Sequence, residues 1–534
     1  MSFDLLISGA TLIDGTGRPA FPADLAVRDG RIAAIAPPGS LNSAGARTTL
    51  DATGLLLTPG FIDIHTHSDR AILINPRMES KLRQGVTTEV GGNCGSSVAP
   101  ALGEAVRAGR EAAGEGVPAT WPSMAAYLDD VARAGIAGNY ATWVGHGTLR
   151  ASVVGYAMRP PTAEELARMA TLLRESLEAG AFGLSTGLIY VPSGYATTDE
   201  LIALAAVVRE YGGIYASHLR NESDRLLEAV DEALTIGRRA GVPVQIAHHK
   251  ASQPPNWGRV NQSLAMMDRA RAEGVDVACD QYPYTASSTG LSSVLPSWAL
   301  EGGSEALVAR LRDPALRARL RQEMLAQRPD WGAAGDESGW QRVQIARARR
   351  WPELEGRRLG EVAAERGQDP FELCFDLLVA AGGTIGCVFF SMCEDDVQTV
   401  MRWPHTMIGS DASSLAPYGP LGGGKPHPRA YGTFPRVLAR YVRERQTLTW
   451  EEAIRKMTSL PAARLGLRDR GVLREGAWAD LVVLDPATVA DCATFEDPHR
   501  YPTGILHVFV NGVQTIRQGE HTGATAGRVL RHGQ

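Results

Sequence analysis

The sequence predicts an α/β protein: an eight-stranded parallel barrel of the (β/α)8, TIM-like kind, joined to a small β-sandwich domain formed by both chain ends. Three observations predict it. Strand-like apolar segments alternate with amphipathic helices through the middle of the chain. Both ends carry short strands and turns with no helix pattern. Residues able to bind metal close five separate apolar segments, where the C-terminal rim of such a barrel would lie. With 534 residues the chain is long enough for a large barrel and a smaller domain.

Residues 1–57 form the first part of the small domain. Leu5–Ala10 and Arg31–Ile35 are β-like, and Asp14-Gly15 and Asp29-Gly30 are hairpin-type turns. Residues 466–534 form the second part, with a strand in Leu481–Leu484 and a hairpin at Asn511-Gly512. Between them, 58–465 reads as the barrel. Its strands are Phe61–Ile64, Gly85–Val90, Gly183–Leu188, Gly213–His218, Val242–His248, Val275–Asp280 and Thr406–Asp411. Thr162 and Glu165 make a capping box that opens a helix. The regularity fails at about 292–352, which is rich in Arg, Glu and Ala and reads as a helical insertion over the barrel mouth.

The stretch that organises the chain is Gly60-Phe61-Ile62-Asp63-Ile64-His65-Thr66-His67. In a strand, residues i and i+2 share a face, so His65 and His67 project together, about 7 Å apart. Two converging imidazoles can hold a divalent metal, zinc above all. Cys94, His218, His248 and Asp411 end other strands. One polar strand end is ordinary; five are hard to explain by packing.

Composition excludes several classes. The net charge of -5 leaves no electrostatic footprint for nucleic acid. No run of about 18 apolar residues suggests a membrane span, and Met1-Ser2-Phe3-Asp4 opens no signal-type segment. The six cysteines lack paired spacing and read as reduced thiols of a cytoplasmic protein. Lysine occurs only at positions 81, 250, 425 and 456, which makes each one informative.

The stretches Gly60–Asp69, Gly92-Asn93-Cys94-Gly95, Gly183–Tyr190, Ser217-His218-Leu219-Arg220, His248-His249-Lys250, Asp280–Tyr284 and Pro426-His427-Pro428-Arg429 together resemble the amidohydrolase superfamily. Within it they are most similar to the D-aminoacylases, or N-acyl-D-amino-acid deacylases. Many related enzymes bridge two metals with a carboxylated lysine in mid-barrel. No lysine lies between 81 and 250, so Cys94 is the natural substitute, because a thiolate is a strong zinc ligand. The resemblance implies a tight zinc on Cys94, His218 and His248, and a second, weaker metal position near His65, His67 and Asp411. His249 points to the other face and reads as structural, and His146 reads as a neighbour of the site at most.

The resemblance also implies a reaction. Zinc makes hydroxide available at neutral pH, and Asp411 is the expected general base. The substrate is expected to be a small molecule with a free carboxylate. Arg429 offers that group a bidentate fork and Lys250 a point charge, with Tyr190, Tyr282 and Ser288 as hydrogen-bond donors. The expected activity is hydrolysis of N-acyl-D-amino acids. Hydrolysis of a cyclic amide or unusual dipeptide is the alternative, and a non-catalytic barrel scaffold is a third reading. The long run Ala412–Gly424 leaves the side-chain pocket open, and the residues alone do not encode D over L.

Overall fold

The computed structural model describes residues 2–42, 45–112, 120–326 and 337–533. Among them, eight parallel strands form the barrel: β1 Phe61–Asp63, β2 Val86–Gly91, β3 in two pieces (Asn139–Thr142 and Val144–Gly145), β4 Gly183–Gly187, β5 Ile214–His218, β6 Val244–Ile246, β7 Val277–Gln281 and β8 Thr406–Ile408. Strands β1 to β3 pair in order, and β3 through β8 pair in order. The residues of these strands are buried throughout, as expected of a parallel sheet covered by helices.

The covering helices begin and end where the sequence provides caps. Ala163–Glu178 starts with the reciprocal Thr162 and Glu165 capping box. Thr198–Glu210 is capped by the Thr197 hydroxyl. Leu226–Ala240 stops at Gly241, which adopts the left-handed conformation (φ 67°).

The small domain is a nine-stranded sheet drawn from both ends. Leu56–Pro59 pairs antiparallel with Leu481–Leu484 and so joins the two halves. Val510 pairs with Val513 around Asn511 and Gly512, both at positive φ, which is the geometry an Asn-Gly hairpin needs. The last residues leave this sheet. Tyr140 of β3 donates its N–H to Arg528 O and accepts from Leu530 N–H, so the tail packs on the barrel.

The insertion is larger than 292–352. A separate apolar core runs from Leu291 to Phe389, beside a three-stranded antiparallel sheet of Ser287–Gly290, Gly386–Phe389 and Val343–Arg347. Gly303–Leu311 and Pro314–Ala326 are two of its helices, at the expected spacing, and residues 327–336 of the span lie outside the described residues. The difference has a physical reason. Pro370–Ala381 followed by Gly386–Phe389 has the pattern of another barrel βα unit, yet the strand pairs antiparallel with the insertion.

The barrel closes between β1 and β8 at their C-terminal ends. Asp411 N–H donates to His65 O at 2.8 Å, and His67 N–H to Ala412 O at 3.3 Å. Beneath this seam lies Lys81, fully buried. Its ammonium donates to Asp63 Oδ2 at 2.7 Å and to Ala412 O at 3.1 Å. The other oxygen of Asp63 accepts from Ser410 N–H at 2.8 Å. One buried ion pair thus spans the strands that carry His65, His67 and Asp411. Removing one partner of such a pair leaves the other charged and unpaired in the interior, at a cost of about 3–5 kcal/mol. Lys81→Met is therefore expected to lower unfolding stability by about 3–5 kcal/mol in urea titration. A loss below about 1 kcal/mol would show that the pair does not hold the seam.

Candidate metal centre and active site

Each candidate ligand sits at or just beyond the end of a barrel strand. Cys94 follows β2, His218 ends β5, His248 follows β6 and Asp411 follows β8. Cys94, His248 and Asp411 all have positive φ, at 51°, 33° and 51°. Non-glycine residues avoid this region, and where they occupy it the surrounding structure imposes the strain. Here the turn aims each side chain into the mouth. Gly95 makes the close approach possible, because a Cβ there would lie 2.6 Å from Gly187 N.

The side chains converge in two overlapping groups. The ligand atoms of Cys94, His218 and His248 lie within 4.8 Å of one another, and so do those of His65, His67, Cys94 and Asp411. Cys94 belongs to both, which places its sulfur between two possible positions. Its Sγ is 3.3 Å from His65 Nε2 and 3.4 Å from His248 Nε2. Asp411 Oδ1 is 2.9 Å from His67 Nε2 and 3.4 Å from His65 Nε2.

The electrostatics suit a cation. Burial opposes ionisation of Cys94, yet the charges of His65 and His248 beside it hold the thiol well below its ordinary range. Burial likewise opposes charge on Asp411, and Arg429 with the neighbouring imidazoles holds the carboxyl well below the usual carboxylate range. Burial pulls His67 down, but its bonds to Asp411 and Cys94 lift it to about 9. Burial pushes His218 down, favouring its neutral form. One soft thiolate and imidazoles that can give up a proton to a metal, set on rigid strand ends, are the donors zinc prefers.

Two carboxylates to which sequence reading gave no role stand behind the histidines. Asp280, ending an apolar strand in the same manner as the ligands, accepts His65 Nδ1–H at 3.0 Å and His248 N–H at 2.8 Å. Its acceptor role aims His65 Nε2 at Cys94 and Asp411. Glu222, four residues after His218, lies 3.1 Å from His248 Nδ1. Only that spacing hinted at it, and a glutamate before a helix is unremarkable.

The expected substrate residues are placed less simply. Arg429 is buried, with Nη1 in ion-pair contact with Asp411 Oδ2 at 2.8 Å, its guanidinium 4.6 Å above the Tyr282 ring, and Nη2 donating to Ser288 O at 3.2 Å. It therefore touches the expected base directly. Lys250 Nζ donates to Glu222 Oε1 at 2.6 Å and His248 O at 2.8 Å. Ser288 Oγ donates to Cys387 O at 2.9 Å, away from the metal-binding groups, and Tyr190 OH is 2.9 Å from Thr289 Oγ1. The insertion thus supplies one wall of the site. His249 pairs with Ser263, and His146 with Ser193 and Glu200, both away from the ligand groups.

Two cavities meet at His67 and Asp411. One, of about 480 Å³, runs past Cys94, His248 and Tyr190 to Val98, Ala101 and Ala105. The other, of about 790 Å³, runs past Ser288 and Arg429 to Leu415 and Leu421 of the long loop.

A β/α barrel with thiolate, imidazole and carboxylate donors on its C-terminal rim defines a metal-dependent hydrolase. A profile of the amidohydrolase family matches residues 48–516, and the chain belongs to that family, in its D-aminoacylase branch. It is 42% identical to a D-aminoacylase of Alcaligenes xylosoxydans xylosoxydans over 528 residues, 99% of this chain and 97% of that one. It is 40% identical to an N-acyl-D-glutamate deacylase of the same organism, over 99% and 96% of the two chains. Its structure matches that of an N-acyl-D-glutamate deacylase from Bordetella bronchiseptica, complexed with zinc and a phosphonate mimic of the tetrahedral intermediate. That match has a TM-score of 0.83 and 38% identity, covering 99% of this chain and 100% of the other.

The geometry predicts the effect of removing the shared ligand. Cys94→Ala is expected to take bound zinc from about one per chain to well below that, because both groups lose their only sulfur. Elemental analysis checks this, with circular dichroism confirming the fold. A folded variant that keeps its zinc would exclude Cys94 as a ligand.

Proposed function

We propose that this enzyme hydrolyses the amide bond of N-acyl-D-amino acids, releasing a carboxylate and the free D-amino acid. The observation that carries the reading is the meeting of Cys94, His218 and His248 at the barrel mouth, with Arg429 at its edge. The whole-length likeness to deacylases of this specificity supports the D configuration. Cys94, His218 and His248 would hold a zinc tightly, and His65, His67 and Asp411 would form a second, weaker position that shares Cys94. When bound, zinc supplies hydroxide at neutral pH and polarises the substrate carbonyl.

The chain's own groups account for the remaining work. Asp411 stays ionised and faces the centre, so it can take the water proton and pass it to the departing nitrogen. A substrate carboxylate at Arg429 would share the guanidinium with Asp411 and place the scissile amide beside the base. Tyr190 and Ser288 line the first cavity as further partners for the substrate, whereas Lys250 and Tyr282 are buried behind it. The two cavities suit the two ends of an N-acyl amino acid, one on each side of the amide.

The competing readings fit less well. Lys81 is committed to Asp63 below the barrel rim, and Lys250 to Glu222, so no described lysine stands as a metal bridge. A scaffold would have no use for a complete donor set held in strained conformations. All six cysteines are free thiols, which supports a cytoplasmic setting. Among the described residues, no helix is long and apolar enough to cross a membrane.

A panel of N-acetyl-D- and N-acetyl-L-amino acids with hydantoin alongside tests the reading. Turnover of the D series is expected, whereas hydantoin hydrolysis without it would overturn the proposal. Arg429→Ala should lower kcat/KM for free acids by roughly 10²-fold, as loss of a buried charge partner does. Substrates with the carboxylate amidated should lose much less, although Asp411 is disturbed in both cases. Equal losses would make Arg429 a partner of Asp411 alone.

A further inference from the structure

Glu222 is nearly fully buried and belongs to none of the roles assigned above. It lies in the loop between β5 and the helix Leu226–Ala240, and Ser252 N–H donates to its carbonyl at 2.7 Å. That bond ties the loop to the segment that follows His248 and Lys250. Its carboxylate faces two histidines on different strands. Oε1 is 3.1 Å from His248 Nδ1, and Oε2 is 3.7 Å from His218 Nε2. Oε1 also accepts from Lys250, whereas Oε2 has no hydrogen-bond partner among the described residues.

A neutral imidazole has one N–H and one lone pair, and only the lone pair can bind a metal. His248 presents Nε2 to Cys94 at 3.4 Å, so as a ligand it must carry its proton on Nδ1. That proton needs an acceptor. Lys250 Nζ, 2.8 Å from Nδ1, is an ammonium with nothing to accept with, and its contact favours the opposite tautomer. Glu222 Oε1 is the acceptor within reach. On His218, Nε2 faces Glu222 Oε2, which leaves Nδ1 for the metal.

We propose that Glu222 is the positioning residue of the metal centre: its carboxylate accepts the outward N–H of His248 and sets a negative charge opposite Nε2 of His218, and so fixes the tautomer and orientation of two ligands. The inference rests on the metal-centre reading above. Lys250 has the complementary part of neutralising Glu222.

Zinc affinity of the whole protein, measured by competition with a chelator, tests this apart from activity. Loss of a carboxylate behind ligating histidines weakens metal binding about 10–100-fold. Glu222→Gln is expected to show that loss, but it also leaves the Lys250 charge buried without its partner. The double variant Glu222→Gln/Lys250→Met removes both charges and separates the two roles. It is expected to stay about 10–100-fold weaker than wild type, whereas Lys250→Met alone stays within about threefold. If the double variant binds zinc as wild type does, Glu222 only neutralises Lys250 and the proposal is overturned. Wild-type protein that binds no zinc in the same assay would overturn the metal centre itself, and this inference with it. Unchanged circular dichroism of the zinc-free double variant ties the effect to the site rather than to the fold.

Discussion

Six ligand-type side chains from five strands can meet within a few ångströms only if the barrel closes in register between its first and last strands. That seam is the constraint on which the site depends. Its direct contacts are few: Asp411 N–H on His65 O and His67 N–H on Ala412 O. The register is set below them by Lys81 and Asp63, whose charges lie in the interior and are satisfied by each other, by His65 N–H and by Ser410 and Ala412 just after β8. A shift of β8 by one residue would turn its side chains to the other face and take Ser410 N–H and Ala412 O from this pair. A buried ion pair is weak evidence for stability, but fixing register is the use of such pairs that is best attested.

Above the seam the site concentrates negative donors and confines them with positive charge. Cys94 and Asp411 stay ionised despite burial because imidazoles and Arg429 stand beside them. Asp280 and Glu222 then orient the rings from behind. Positive φ at Cys94, His248 and Asp411 is the backbone side of the same arrangement. These strained turns persist because the strands below are fully buried and the hydrogen bonds around them over-determine the geometry.

Much of this was legible in the sequence, for local reasons. His65 and His67 obey the strand period of two, so their shared direction follows from spacing alone. Cys94 stood out through its flanking glycines, and the Asn511-Gly512 hairpin through its turn chemistry. Glu222 was missed, and Asp280 was quoted within a family stretch without a role, because their meaning lies in pairing. Asp280 becomes informative only when β7 sets it between His65 and His248, which are distant in the chain. The contact of Arg429 with Asp411 was invisible for the same reason. The insertion was drawn too short because nothing local marks strand Gly386–Phe389 as part of it; only its antiparallel partners reveal where it belongs.

The central claim is that Cys94, His218 and His248 together hold one zinc at the barrel mouth. Anomalous diffraction from zinc-loaded crystals, recorded on both sides of the zinc absorption edge, tests it most directly. The account predicts a strong peak about 2.0–2.3 Å from Cys94 Sγ and from one ring nitrogen of each of His218 and His248. A peak held by His65, His67 and Asp411 with no sulfur in its coordination sphere, or none at the barrel mouth, would contradict it.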